Sequence, residues 1–371
     1  MTKTPIEKTL IAAEIGTAHG GDIVKAGELI AAAAEAGADA AKFQLVYADE
    51  ILHPLSGNVE LPGGSIPLYE RFRALEKPAA FYEELKNLTE EAGLLFISSP
   101  FGIKSARILR DIGASVLKIA SPELNHFPLL EEAASLGLSV ILSTGVSSLA
   151  DIEKAVLIFR ASPSFRAKLT LLHCVTAYPA PEEDYNINLI PNLSAIFGLP
   201  AGVSDHSQDP ILVPVLAALR GAVLIEKHFT LNPGGSGLDD PIALPPEKFR
   251  LMAREVRSAQ TEAQAGREAE VLEALEAAYG EHRLRRVLGN GVKTLAPCEA
   301  ANYATTRRSL HALREIQPGE IITRENTALL RSEKNLRPGL PPEFAPLAYA
   351  HPAVRTIPPG EGILWEDILG R

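Results

Sequence analysis

Along the first two thirds of the chain, short apolar runs alternate with stretches whose apolar residues recur every three or four positions. Runs at 9–15, 40–43, 94–98, 116–119, 139–142, 169–173, 202–204 and 222–226 read as buried strands. Helical spacing fills most of the gaps, at 23–35, 79–92, 103–111, 128–136, 149–159 and 211–219. Eight strands alternating with helices over about 240 residues predict a (β/α)8 TIM barrel. A doubly wound sheet shares this pattern, because periodicity does not report closure. The connection between 45 and 77 is long for a strand-to-helix loop.

After Glu247 an Ala/Glu/Arg-rich helical stretch runs to about 278, and Gly280, Gly289-Asn290-Gly291 and Pro297 then break it. The remainder carries short β-like runs at 309–313, 320–322 and 353–357 between Pro-Gly punctuation. The expected organisation is a barrel over 1–280, a linker over 281–303 and a small β-rich domain over 304–371.

Composition narrows the partners. Hydrophobic residues make up 46% and charged residues 22% of the 371, the balance of an ordinary globular protein. A formal net charge of −10 argues against nucleic acid and against anionic membranes. Residues 1–7 lack the apolar core of a secretion signal, and the most apolar stretch, 210–225, is too short to span a bilayer. Two distant cysteines, Cys174 and Cys298, make no disulfide framework, so the expected compartment is the cytoplasm.

Candidate chemistry gathers at the strand C-termini, where barrels of this class bind ligands. The first run ends at Glu14, the second delivers Lys42 and Gln44, and the third Ser98 and Ser99. The fourth gives Lys118, Ser121 and Glu123, the fifth Ser143-Thr144-Gly145, and the sixth His173 through Tyr178. The last two stop at Ser204-Asp205-His206 and Glu226-Lys227-His228. Two neutral imidazoles on one rim suit a divalent ion with open positions. Two lysines among hydroxyls suit a small molecule bearing a carboxylate and a phosphate, and Glu14 and Glu123 add carboxylates for proton transfer or sugar hydroxyls. Blander roles compete: the lysines can simply pair with Glu14 and Glu123, His173 can be a strand residue satisfied by backbone, and only one of Glu226 and Lys227 can face inward.

These motifs resemble the N-acetylneuraminate (sialic acid) synthase family. The resemblance rests on Glu14-Ile15-Gly16 with His19 and Gly21, Lys42-Phe43-Gln44, Lys118-Ile119-Ala120-Ser121-Pro122-Glu123 and Ile141-Leu142-Ser143-Thr144-Gly145. His173-Cys174 with Tyr178-Pro179, Ser204-Asp205-His206 and Ile225-Glu226-Lys227-His228-Phe229-Thr230 continue it in the family's order. The tail, with Arg307-Arg308-Ser309-Leu310, Pro318-Gly319-Glu320 and Leu336-Arg337-Pro338-Gly339, resembles that family's antifreeze-like (SAF) domain.

The resemblance implies an enzyme that condenses phosphoenolpyruvate with an N-acetylmannosamine-type aldose, giving a nonulosonic acid and phosphate. It implies that His206 and His228 hold Mn²⁺ or Mg²⁺, and that Lys42, Ser99, Lys118, Ser121, Thr176, Tyr178 and Ser204 bind phosphoenolpyruvate. Glu14 would be the acid/base; Gln44, Glu123 and Asp239 would bind the sugar. It further implies a domain-swapped homodimer in which Arg308 reaches the partner's sugar site. Ala18, Gly20, Pro122, Thr176 and Asp240 depart from the family pattern, mostly on the sugar side. A synthase for legionaminic acid, pseudaminic acid or a spore-coat sugar is the sibling reading, and a non-catalytic carbohydrate-binding protein is the alternative from another class.

Overall fold

Period-two alternation sends one set of strand side chains inward and the other toward the helices, and the ring closes. The computed structural model describes residues 8–61, 64–235 and 237–370, so the reading of residues 1–7 lies outside it. Strands β1 (Leu10–Gly16), β2 (Ala40–Leu45), β3 (Leu95–Pro100), β4 (Val116–Ile119), β5 (Ser139–Ser143), β6 (Leu169–Cys174), β7 (Ala201–Asp205) and β8 (Leu224–His228) form a closed parallel barrel. Strand β1 pairs with both β2 and β8, so the doubly wound alternative is excluded.

Two residue sets divide the barrel interior. Ala12, Ala40, Ile97, Ile141, Leu172 and Leu224 pack together as an apolar floor. Two residues further along each of those strands stand Glu14, Lys42, Ser99, Ser143, Cys174 and Glu226, and Lys118 stands two beyond Val116, which packs on the floor. The change from apolar to polar in one step of the pleat places every inward charge above the floor, at the C-terminal rim. Outward residues such as Ile11, Ala13, Phe43, Leu117 and Ile225 belong instead to the main core shared with the helices.

The helices follow their local signals. Helix Ile23–Glu35 starts where the Asp22 carboxylate accepts the Val24 and Lys25 N–H groups, and it buries Ala26, Leu29, Ile30 and Ala33 on one face. Helix Leu149–Ala161 opens on a reciprocal Ser148/Asp151 capping box. Among the described residues no helix is long and apolar enough to cross a membrane.

Four elements differ from expectation. Helix Leu189–Phe197 fills the gap between β6 and β7; Pro191, which disguises it in the sequence, sits in the first turn, where no intrahelical N–H is needed. The single helix expected over 247–278 is two, Pro246–Gln264 and Glu268–Tyr279, separated at Gly266, whose φ is +81°. The linker carries its own helix, Glu281–Leu288. In the C-terminal domain the paired strands are β9 (Arg308–Ala312) and β10 (Thr327–Arg331), antiparallel, while the runs at 320–322 and 353–357 contribute only isolated bridges.

The long 45–77 connection seats the C-terminal domain. It holds a hairpin (Asn58–Leu61 with Gly64–Pro67) and helix Leu68–Arg73 around a small apolar cluster that includes Val46, Ile51, Leu52, Leu68 and Phe101. Against it, Arg331 N–H donates to Ile51 O at 3.0 Å and Lys334 N–H to Ser56 O at 3.1 Å. The C-terminal domain therefore packs on this connection at the barrel rim.

Candidate active site

Above the apolar floor the inward charges pair. Lys42 Nζ lies 2.7 Å from Glu14 Oε1, and Lys118 Nζ 3.1 Å from Glu226 Oε1, with all four side chains at 5% exposure or less. Gln44 Nε2 donates to Glu14 Oε1 at 2.9 Å, and Ser204 Oγ donates to Glu226 Oε1 at 2.8 Å. Burying four charges is costly even when they pair, and clusters of this kind gather at functional sites.

Electrostatics separate the two carboxylates. Burial pushes the Glu14 carboxyl up to about 7 against the pull of Lys42. Burial would raise Glu226 as well, but Lys118 and Lys42 together hold it well below the usual carboxylate range. Glu14 and Glu226 thus occupy opposite protonation tendencies within one cluster. The Oε2 atoms of both, with the hydroxyls of Ser99 and Ser143, are buried without a hydrogen-bond partner, and each such orphan costs roughly 1–3 kcal/mol unless a ligand satisfies it.

The two histidines stand at the rim beside this cluster, ring centroids 5.3 Å apart. His206 Nδ1 bonds Val175 O at 2.8 Å, which leaves Nε2 for the pocket. Burial, then the His206 and Lys42 charges, hold His228 well below its ordinary value and hence neutral. Tyr178 stacks on His206 at 4.3 Å. Glu14, His228 and Asp239 offer ligand atoms within 4.8 Å of one another, so hard oxygen donors adjoin the imidazoles. A backbone-oriented His206, a neutral His228 and adjacent carboxylates fit a divalent ion.

One cavity is lined by Glu14, Lys42, Gln44, Lys118, Ser121, Tyr178, Ser204, His206, His228 and Asp239. Glu226, Cys174, Pro122, Phe72, Phe101 and Arg331 complete much of its wall. Four expected residues lie outside that lining. Ser99 is buried beside it, and Thr176 spends its N–H on Glu299 Oε1 at 2.6 Å. Glu123 is enclosed: its Oε2 accepts from Arg308 Nε at 3.2 Å, and its Oε1 accepts from Arg308 Nη2 at 2.9 Å and from Arg331 Nη2. Arg308 is fully committed, its remaining donors bonding the carbonyls of Glu50, Ile51, Phe101 and Leu329. Glu123, Arg308 and Arg331 together form a buried ion cluster fastening cap to barrel.

Other functional positions were hidden in the sequence. Glu226 faces inward because it is in phase with Leu224 and His228, whereas Lys227 points out and pairs with Asp205 at 2.6 Å. The strand phase of the floor residue Leu224 was the available signal. His173 is likewise an outward strand residue bonded to Tyr185 O. The linker reaches the rim: Lys293 Nζ donates to Thr144 O at 2.9 Å, and the Glu299 carboxylate accepts the Val146 and Thr176 N–H groups. Gly145 is required there, because a Cβ would come within 2.2 Å of Thr176 Oγ1. Asp240 faces away from the pocket, capping Thr230 Oγ1 and the Gly237 N–H.

Comparison with known proteins places this geometry in a lineage. The NeuB family model matches residues 29–268 and the SAF domain model residues 307–369. Spore coat polysaccharide biosynthesis protein SpsE of Bacillus subtilis is 35% identical over 362 residues, 97% of this chain and 93% of that protein. A crystal structure of SpsE covers 97% of this chain and 95% of its own at a TM-score of 0.81. N,N'-diacetyllegionaminic acid synthase of Legionella pneumophila is 32% identical over 364 residues, 96% of this chain and 94% of that protein. A sialic acid synthetase structure from Leptospira borgpetersenii, in complex with citrate, is 33% identical with a TM-score of 0.64 over 75% of this chain and 93% of its own. With a barrel match over more than half its length and relatives covering nearly all of it, the chain belongs to the NeuB family and carries a C-terminal SAF domain.

Proposed function

We propose that this chain condenses phosphoenolpyruvate with a 2-acetamido aldose of the N-acetylmannosamine type, forming a nonulosonic acid and releasing phosphate. The observation that carries the reading is the buried Lys42/Lys118 pair set beside two rim histidines in one cavity. Lys42 and Lys118, with the Ser121 and Ser204 hydroxyls, would bind the carboxylate and phosphate of phosphoenolpyruvate. His206 and His228 would hold Mn²⁺ or Mg²⁺, with Asp239 adjacent. That ion would supply Lewis-acid polarisation of the sugar aldehyde. The condensation joins the methylene carbon of phosphoenolpyruvate to the aldehyde carbon, whose oxygen takes a proton, and a water replaces the departing phosphate. Glu14, in register with Lys42 and His228, would hand over that proton. Gln44 and Asp239 would orient sugar hydroxyls.

Phosphate release from phosphoenolpyruvate, Mn²⁺ and a panel of acetamido sugars tests the reading, and silence across the panel would sink it. Product masses from the same panel separate the sialic, legionaminic, pseudaminic and spore-coat variants. Dialysis against a chelator is expected to abolish turnover, with Mn²⁺ restoring it. Lys118→Ala removes one charge-assisted contact worth roughly 1.5–3 kcal/mol, so the KM for phosphoenolpyruvate is expected to rise about 10- to 100-fold. A carbohydrate-binding protein without turnover would bind sugar equally well with or without phosphoenolpyruvate and metal.

A further inference from the structure

Two charges of the linker, Lys293 and Glu299, lie outside the cavity lining yet grip the loops that supply it. Glu299 is 1% exposed; its Oε1 accepts the Val146 N–H at 2.8 Å and the Thr176 N–H at 2.6 Å, and its Oε2 accepts the Ala296 N–H at 3.2 Å. Lys293 Nζ donates to Thr144 O at 2.9 Å, an oxygen that also accepts from Ser147 Oγ at 2.7 Å. These contacts hold the turns that follow β5 and β6. Within the first of them Val146 sits at φ +40°, in the left-handed region that a β-branched side chain rarely adopts. A residue in that state persists only where its surroundings hold it, and such residues cluster at functional sites.

Each charge acts through one peptide plane. Thr144 O and Gly145 N belong to the same peptide group, and the Gly145 N–H donates to Ser121 Oγ at 3.0 Å. A cation on the carbonyl strengthens that N–H as a donor. Ser121 Oγ, accepting there, sends its own hydrogen elsewhere, and Ser121 lines the cavity. Val175 O and Thr176 N likewise belong to one peptide group, and Val175 O accepts from His206 Nδ1 at 2.8 Å. An anion on the N–H strengthens the carbonyl as an acceptor, which keeps the His206 proton on Nδ1 and leaves Nε2 for the cavity. An ordinary loop stop would engage one loop. Glu299 joins both, and Lys293 braces the first.

We propose that Lys293 and Glu299 are positioning residues of the site. Lys293 acts through the Thr144–Gly145 peptide on Ser121, at the phosphoenolpyruvate end, and Glu299 through the Val175–Thr176 peptide on His206, at the metal end. This rests on the synthase reading for the identity of the two ligands. The test titrates full-length wild type, Lys293→Met, Glu299→Gln and Glu299→Ala with phosphoenolpyruvate and, separately, with Mn²⁺ by calorimetry, and follows the His206 ring nitrogens by NMR. Glu299→Ala is expected to weaken Mn²⁺ binding about 10- to 100-fold, and Glu299→Gln, which keeps one acceptor oxygen, to lose less. Lys293→Met is expected to raise the Kd for phosphoenolpyruvate about 3- to 10-fold and to leave that for Mn²⁺ within about twofold. The His206 Nδ1–H signal should move in the Glu299 variants and stay in place in Lys293→Met.

A merely structural role would lower thermal stability in every variant and leave both affinities and the His206 signal unchanged; that result overturns the proposal while the synthase reading stands. Equal losses for both ligands in Lys293→Met overturn the division between the two charges. If Glu299→Ala does not fold, Glu299→Gln reads the same affinities. If wild type binds neither phosphoenolpyruvate nor Mn²⁺, the synthase reading fails and the Lys293 assignment fails with it, and the His206 signal decides the rest. A signal that moves in Glu299→Gln supports the Glu299 assignment; an unmoved one overturns it.

Discussion

Glu123→Ala is expected to destabilise the chain by about 3–5 kcal/mol, the cost of leaving buried guanidinium groups without their counter-charge. Burial by itself would raise the Glu123 carboxyl, yet Arg308 and Arg331 together hold it below its ordinary value. The carboxylate is therefore the anion on which two cap arginines converge, inside a barrel-rim turn. Urea unfolding of wild type and variant measures the loss, and limited proteolysis within 307–369 should show the cap released. Glu123→Gln keeps the shape and should lose less. A loss under about 1 kcal/mol would mean that backbone contacts such as Arg331 N–H to Ile51 O hold the cap unaided.

A second large effect is expected on acidification. Burial holds His19 and His311 down to about 4, and His126 and His173 down to about 3. Each is neutral in the folded chain and protonates near 6.5 once unfolded. Their folded values are depressed, so the unfolded chain binds more protons between these limits, and stability is intact above about pH 6.5 and falls as pH drops toward 4. Each histidine contributes about 1.4 kcal/mol per pH unit in the steep part of that window, so four approach roughly 5 kcal/mol per unit. Such a slope rivals the entire stability of a typical domain within two units. Unfolding free energies at pH 7, 6, 5 and 4.5 should give a proton uptake of about three to four, because Glu14, held up to about 7, already carries a proton in the folded chain and offsets part of the histidine uptake. An uptake below one would refute the shared burial of these rings.

Much of this architecture was legible because barrels enforce a simple code. The runs at 9–15, 40–43 and 116–119 predicted strands whose inward positions change from Ala12 and Ala40 to Glu14 and Lys42, and the rim followed directly. The code fails where a residue's phase is ambiguous or where tertiary contact decides. Glu226 and Lys227 are adjacent and both charged, and only the packing of Leu224 on the floor fixes which one looks inward. Pro191 masked a helix by imitating a breaker. Strand β10 contains Arg331 and carries no distinctive motif, so its place at the rim emerges only from pairing with β9 and from the bridge of Leu52 to Arg331. Arg308 was legible as important. That its donors are spent on Glu123 and four carbonyls depends on residues up to 258 positions away.

Barrel closure has a consequence for how the molecule is made. Glu14 on the first strand pairs in register with His228 on the last, 214 positions later (228 − 14). At about 5–20 residues per second of synthesis, roughly 10–40 s pass between the emergence of those two partners. Throughout that interval β1 has an unpaired edge and an apolar underside, the state in which parallel sheets are most open to misassembly. Arg331 follows about a hundred residues later still. A ribosome that stops before it leaves a chain whose buried lysines are assembled but whose rim has no cap.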